Sequence, residues 1–399
     1  EIMEDLLFLA HRIPYPPNKG DKIRSYHLLK ELSQSYRIHL GAFVDCPEDR
    51  QYRARMESLC ESVFLPELWP LLARIRSLSG LLRGQALSIP YYFDRHMQAW
   101  VDGVLARHDI RRIFVFSSPM SQYVMSVRDE QVIRVVDFVD VDSDKWLQYA
   151  ARKSWPASWI YNREGRQLLG FEASVARQFD TSLFVSAEEA ALFQKLAPEV
   201  SDRVEYIDNG VDHDYFSPDR DYADPYQGGR AVLVFTGAMD YWPNVDAVTW
   251  FATEVYPELQ KIDSGLKFYI VGRNPKKSVQ SLQEQDGIVV TGEVEDVRPY
   301  IKHSLFVVAP MRVARGIKNK VLEAMAMEKP VLVSAPGLEG IDAVHGEEVL
   351  LVENKTDYLK NVKLLLQGKY KTMGLAARER VNRDFNWDAN LPHVLELLD

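Results

Sequence analysis

The run from Ser304 to Ser334 constrains this chain more than any other. Leu305-Phe306-Val307-Val308-Ala309-Pro310 is a continuous apolar stretch rich in β-branched residues, the pattern of a strand buried on both faces. Met311 to Lys320 follows as a loop with one glycine, Gly316, and the cations Arg312, Arg315, Lys318 and Lys320. Val321-Leu322-Glu323-Ala324-Met325-Ala326-Met327 is made of good helix formers, and Pro330 to Ser334 reads as the next strand. Strand, loop, helix, strand is a βαβ unit, whose strands run parallel. Its loop and helix N-terminus lie at the carboxyl ends of the strands, where open α/β sheets bind ligands. Free backbone N–H groups and the helix dipole favour an anion there, and the cations strengthen that preference. The stretch reads as a diphosphate seat, with Gly316, Ile317 and Asn319 as its backbone and Lys320, Arg315, Lys318 and Arg312 as its charges.

A chain of 399 residues is too long for one core, so two α/β domains are expected, divided at 1–205 and 206–399. A net charge of −9 argues against a general nucleic-acid binder, because phosphate backbones reward positive surface. The cations near residue 315 are therefore a local concentration. Two cysteines, Cys46 and Cys60, supply no disulfide framework, and no apolar run approaches the roughly 20 residues a membrane-spanning helix needs. The opening Glu-Ile-Met-Glu-Asp carries no basic region of a signal peptide, so a cytoplasmic chain is expected.

In the first half, Leu6 to Ala10, Arg37 to Val44, Ile113 to Phe116, Val132 to Val136 and Thr181 to Ser186 read as strands. The first is followed by a loop from His11 to Asp21 whose prolines and glycine forbid regular structure. The fourth runs into Asp137, Asp140, Asp142 and Asp144. Two readings stand there: an Asp-x-Asp metal site, since hard cations want clustered oxygens, or carboxylates that cap the next helix and pair with Arg or Lys. The second is preferred, and no metal is expected. Asp140 and Asp142 remain the acidic residues to test for catalysis. Trp146 to Phe179 reads as one long helical region.

Between Glu67 and Asp94 there is no acidic residue, while Trp69, Leu71, Leu72, Ile75, Leu78, Leu81 and Leu82 recur near helical spacing among Arg74, Arg76 and Arg83. Such a segment either packs on its own domain with a solvated basic face or rests on an anionic membrane surface.

In the second half the alternation restarts at Ala231 to Phe235 and continues with Leu266 to Val271 and Val289 to Gly292. The polar run Tyr222 to Gly229 reads as a hinge. There is no Gly-x-Gly-x-x-Gly after a strand, no Gly-x4-Gly-Lys-Ser/Thr, no Gly-x-Ser-x-Gly and no Cys/His metal spacing.

Three runs carry a resemblance: Lys320 to Leu332, Tyr206-Ile-Asp-Asn-Gly-Val-Asp212 with Phe216-Ser217-Pro218, and Val290 to Tyr300. Together they resemble family 4 glycosyltransferases, and most of all the bacterial sugar transferases associated with exopolysaccharide and exosortase systems. The resemblance implies a GT-B fold, two doubly wound Rossmann-like domains facing across a cleft, with a terminal helix at 385–399 crossing back onto the first. It implies that Glu323, the second glutamate of the family's pair, holds the ribose of a nucleotide-sugar. The first glutamate is replaced by Arg315. It places Gly237, Gly272 and Arg273 at the donor and Val294 where backbone reads the nucleobase. Where relatives hold phosphate with an arginine and a lysine, this chain has Ala238 and Asn244. Where relatives often have a histidine it has Val139. On the first domain, Asn18, Lys19, Gly20, Asp21 and Ser118 are expected to face the acceptor.

The implied function is transfer of a sugar from a UDP- or GDP-sugar to a lipid-linked or saccharide acceptor in bacterial surface-glycan synthesis. Retention of configuration is implied, with no cofactor and no metal. Arg315 and Lys320 are expected to stabilise the departing diphosphate. The alternative is a nucleotide-sugar-binding, non-catalytic partner of a polysaccharide-synthesis complex.

Overall fold

The computed structural model describes residues 3–17, 20–151, 154–226, 231–313 and 316–399. The chain parts into two compact units, Glu1–Asp208 with Leu391–Asp399, and Asn209–Asn390.

The first unit is built on a parallel sheet of strands β1 (Glu4–Ala10), β2 (Tyr36–Ala42), β3 (Ser62–Phe64), β4 (Ile110–Phe116), β5 (Ile133–Val139), β6 (Thr181–Phe184) and β7 (Val204–Tyr206). Their order is β3-β2-β1-β4-β5-β6-β7. Helices cover such a sheet on both faces, which is why Leu6 to Ala10 and Ile113 to Phe116 are apolar without alternation and almost wholly buried. The order reverses between β1 and β4, so the loops after these two strands diverge and leave a crevice at their carboxyl ends.

A buried ion pair ties the helix Gly20–Ser35 to the far half of this sheet. Arg24 Nε meets Asp137 Oδ2 at 2.7 Å, and Nη1 donates to the carbonyl of Ile207 at 2.6 Å. Asp137 is thus an internal counter-ion rather than an open carboxylate.

The region expected as one helix from Trp146 to Phe179 is two, Asp142–Ala150 and Ala157–Gln178. Pro156, which has no N–H to give to a helical ladder, stands immediately before the second. The C-terminal region is likewise broken, into Met373–Asp384, Trp387–Asn390 and Pro392–Glu396, with Pro392 opening the last. That last helix packs within the first unit, where His393 Nε2 lies 2.8 Å from Glu205 Oε2.

The second unit holds β8 (Ala231–Thr236), β9 (Leu266–Val271), β10 (Ile288–Gly292), β11 (Phe306–Ala309), β12 (Val331–Val333) and β13 (Leu350–Leu351), all parallel, in the order β10-β9-β8-β11-β12-β13. Here the order reverses between β8 and β11, and the loop Met311 to Lys318 leaves β11 at that point. Tyr222 and Tyr226, from the run read as a hinge, dock on this unit: Tyr226 donates its hydroxyl to Tyr300 O at 2.5 Å. Residues 227–229 lie outside the described residues.

The Glu67–Asp94 segment forms short helices, Pro70–Ser77, Ser79–Arg83 and Ser88–Tyr91. Small residues face inward, Ala73, Ser77 and Gly80, while Trp69, Leu71, Leu72, Ile75, Leu78, Leu81 and Leu82 are exposed. Arg74 and Arg83 are exposed, whereas Arg76 is committed internally, donating to the carbonyls of Pro90 and Tyr91 at 2.8 and 2.6 Å. No described helix is long and apolar enough to cross a membrane.

Candidate functional site

At the carboxyl ends of β8 and β9 the backbone is drawn unusually close. Gly237 N donates to Val271 O at 3.0 Å, and Gly272 N to Gly292 O at 3.1 Å. Both glycines have positive φ, 153° and 157°, and a Cβ on Gly272 would stand 1.7 Å from Gly237 O. Only glycine fits here, and the two expected donor-site glycines line one surface.

Above that surface Lys320, in the first turn of the helix Asn319–Ala326, sends Nζ to Asn244 Oδ1 at 2.6 Å. The ammonium also lies 3.9 Å from the centroid of the Phe235 ring. Asn244 is 6% exposed and donates Nδ2 to Ala238 O at 2.9 Å, which fixes its carbonyl toward the lysine. A Cβ on Gly237 would meet Asn244 Nδ2 at 2.8 Å and Lys320 Nζ at 2.9 Å. Gly237, Asn244 and Lys320 therefore converge from β8, the helix Trp242–Trp250 and the helix after β11.

Glu323 follows Lys320 by three residues, so the two share a helix face. Burial pushes the Lys320 ammonium down to about 7, opposed by the charge of Glu323 and helped by that of Lys318. Burial likewise pushes the Glu323 carboxyl up to about 7, opposed by Lys320.

The remaining expected donor residues are placed unequally. Gly316 turns the loop at φ 66°, and Ile317 behind it is buried. Lys318 receives Val321 N on its carbonyl at 2.9 Å. Asn319 Oδ1 is buried without a hydrogen-bond partner. Arg312 is exposed and turned toward Asp246 Oδ1 at 3.7 Å. Arg273 contributes its carbonyl to Met239 N at 2.8 Å, and Val294 packs on the apolar cluster that includes Val321 and Leu322. Arg315 lies outside the described residues.

Sequence reasoning missed one grouping beside Glu323. Arg298 forks onto Asp296, with Nε and Nη2 each 2.7–3.0 Å from its oxygens, and its guanidinium lies 3.7 Å from the centroid of the Tyr215 ring. Burial raises the Tyr215 hydroxyl above its ordinary pKa, and the charge of Glu323 adds to this. Arg298 lies within the run Val290 to Tyr300 and Tyr215 just before Phe216-Ser217-Pro218, but nothing in the spacing joins residues 83 apart.

In the first unit the expected acceptor residues divide. Asn18 and Lys19 lie outside the described residues. Gly20 opens its helix, and Asp21 Oδ2 reaches back to His11 Nε2 at 3.2 Å and Arg12 Nη1 at 3.0 Å. Burial works against that carboxylate, but the hydrogen bond and charge of His11 and the charge of Arg12 hold it well below its usual range. Ser118 is buried, its Oγ without a partner.

Asp140 and Asp142 both meet Lys145 Nζ, at 2.6 and 3.3 Å, an ion-paired cluster at the carboxyl end of β5. Burial disfavours the Lys145 charge, but Asp142 and Asp140 outweigh it and raise the ammonium above its ordinary value. Glu172, behind them, accepts Ser143 Oγ at 2.6 Å and is pushed by burial up to about 8. Between Asp137 and Asp140 the backbone is strained: Val139 has φ 69°, which a β-branched residue rarely adopts. Asp137 Oδ1 accepts its N–H at 2.9 Å.

Known proteins share this architecture. Residues 230–368 match the family model described as "Glycosyl transferases group 1". An uncharacterized 44.6 kDa protein in the cps region of Klebsiella pneumoniae is 22% identical over 386 residues, 90% of each chain. Anabaena HepE in complex with UDP superposes with a TM-score of 0.67 at 14% identity, covering 99% of both chains. Sucrose-phosphate synthase from Thermosynechococcus elongatus does so with a TM-score of 0.69 at 16% identity, covering 99% of this chain and 98% of its own. Residues 230–368 thus match a group 1 glycosyl transferase domain, the chain has the GT-B fold, and the protein is a transferase.

Proposed function

We propose that the protein moves a sugar from a nucleoside-diphosphate sugar to a lipid-linked or saccharide acceptor in the synthesis of a bacterial surface polysaccharide. The observation that carries the donor half is the convergence of Lys320, Asn244 and Gly237 where the second sheet reverses its strand order, one helical turn from Glu323. An ammonium over a glycine-lined backbone suits a diphosphate, and the carboxylate of Glu323 suits the ribose diol. Arg315 and Gly316 complete the diphosphate contact, and transition-state charge on the departing phosphate is met by these cations and amides rather than by a metal. Transfer retains the anomeric configuration.

On the first unit, His11 and Asp140 follow the carboxyl ends of β1 and β5, Asp21 and Asp142 stand in the first turns of the helices beyond them, and these four form the acceptor side. The exposed apolar face from Trp69 to Leu82, flanked by Arg74 and Arg83, rests on the anionic membrane surface where a lipid-linked acceptor resides. A second reading, a nucleotide-sugar-binding partner without turnover, is favoured by one observation: Val139 occupies, with a strained backbone, the place of the family's histidine. The Klebsiella relative's cps region supports the polysaccharide context of both readings.

Thermal shift against a panel of UDP- and GDP-sugars tests binding: a true donor at 100 times its Kd stabilises by about 2.7 kcal/mol. Product formation from that donor, unchanged by a chelator, supports the enzyme without catalytic metal. Binding without product supports the partner, and no shift with any nucleotide-sugar refutes both.

A further inference from the structure

Among the described residues one group of His, Cys, Asp and Glu side chains brings three ligand atoms within 4.8 Å of one another: Asp5, His39 and His108. It lies toward the amino ends of β1 and β4 with His39 midway along β2, away from the carboxyl ends that His11 and Asp140 follow. Asp5 is near the start of β1, His39 is on β2, and His108 stands two residues before β4, the two strands that flank β1.

We propose that these three side chains form a structural site for a borderline divalent transition-metal ion, zinc above all. The donor set is two imidazole nitrogens and a carboxylate, which suits zinc and its neighbours and not the hard cations magnesium or calcium. The spacing suits it too. His39 Nε2 is 3.2 Å from Asp5 Oδ1, and His108 Nδ1 is 3.8 Å from Asp5 Oδ2. Metal–ligand bonds of about 2.0–2.2 Å give tetrahedral edges of roughly 3.3–3.5 Å, and with the three ligand atoms within 4.8 Å of one another, closure draws them inward by up to about 1.5 Å. The two rings stand side by side, centroids 4.2 Å apart, and each brings one nitrogen to the same carboxylate.

The supporting contacts are those a metal site uses. His39 Nδ1 lies 2.7 Å from Ser62 Oγ on β3, so its N–H can donate to that hydroxyl and leave Nε2 as the ligand. Arg37 Nη2 holds Asp5 Oδ2 at 2.8 Å, orienting the carboxylate. The His39 and Asp5 side chains are 0% and 8% exposed, while His108 is 35% exposed. His108 therefore marks the solvent side, where a water completes the four-coordinate set. An ion here clamps β1, β2 and β4 together, and the proposal does not rest on glycosyl transfer.

The test is a Co2+ titration of full-length, chelator-stripped protein, followed by visible d–d absorption and reversed by Zn2+. The expected result is a four-coordinate spectrum saturating at one equivalent, with zinc raising the melting temperature of the stripped protein. His108→Ala, at a partly exposed position, should lower Co2+ affinity at least tenfold and abolish the zinc shift. Ser62→Ala should lower affinity about 10–100-fold by releasing the tautomer. His96→Ala, on the exposed surface of the same unit, should change neither. Absence of the spectrum at one equivalent, or equal Co2+ affinity in wild type, His108→Ala and Ser62→Ala, would overturn the proposal. The cluster would then be a hydrogen-bonded network alone.

Discussion

Donor binding should peak near pH 7, because Lys320 and Glu323 need opposite protonation and burial has brought both to about 7. Neighbouring groups of this kind titrate as a pair, so the two limbs of the profile belong to the dyad. On the alkaline side, phosphate raises the lysine's pKa in the complex. Below its free value the ammonium is charged in both states and affinity is flat; above it, binding must take up a proton, and affinity falls up to tenfold per pH unit, about 1.4 kcal/mol. On the acid side, ribose hydroxyls donating to Glu323 lower its pKa in the complex. Above its free value the carboxylate is already ionised; below it, binding must release a proton, with the same slope. If the limbs are treated as independent, the population in the required form is about one quarter at pH 7 and about 3% at pH 5.5 or 8.5. Affinity should therefore be about eightfold weaker at those two extremes. Isothermal titration calorimetry in two buffers of different ionisation heat should show proton uptake above pH 7 and release below it. The ligand should be an intact nucleotide-sugar, since a bare diphosphate has its own ionisation near pH 6. Lys320→Met should erase the alkaline limb and Glu323→Gln the acid one. A flat profile from pH 5.5 to 8.5, or an alkaline limb that survives in Lys320→Met, would refute the assignment of these two residues.

Asn244→Ala removes the 2.6 Å bond that aims the ammonium, a charge-assisted contact of about 1.5–3 kcal/mol, and calorimetry should find donor affinity at least tenfold weaker. Gly272→Ala drives a Cβ into Gly237 O, so denaturant unfolding should show a loss of about 3 kcal/mol or more, and a change below 1 kcal/mol would contradict the close approach. Arg24→Ala strands the fully buried Asp137 and should cost about 3–5 kcal/mol at pH 7 by the same assay, as removal of one partner of a buried pair does. Replacing Leu71, Leu72, Ile75 and Leu82 with serine should abolish co-sedimentation with anionic vesicles while leaving donor binding intact; undiminished sedimentation would remove the membrane from the proposal.

Parallel strands announce themselves because helices cover both their faces, and Leu6 to Ala10, Ala231 to Phe235 and Phe306 to Ala309 were readable for that reason. Their order in the sheet is written in no local pattern, and neither are the points where it reverses. The break between the helices ending at Ala150 and starting at Ala157 had a visible cause in Pro156, yet the apolar spacing on either side ran on as though continuous. Arg24 and Asp137 are 113 residues apart, so the sequence offered four neighbouring carboxylates where the structure has one internal counter-ion and two partners of Lys145.

The donor side shows why counting charges along a chain is weaker than placing them. Position 244 reads as the loss of a phosphate-binding lysine, and the loop after β11 reads as a surplus of cations. In space the described cations of that loop do not act alike: Arg312 turns outward to Asp246, while Lys320 reaches back across the glycine turn to position 244 itself. An ammonium at 244 would lie against Lys320 Nζ, in a site where burial already depresses that lysine. Two adjacent ammonium groups there would lower each other's charge further, whereas an amide carbonyl at 2.6 Å favours the charged form. Asparagine is thus the residue that lets a lysine delivered from the neighbouring helix hold its charge over the turn. Its partner could be found only once the two helices were set side by side.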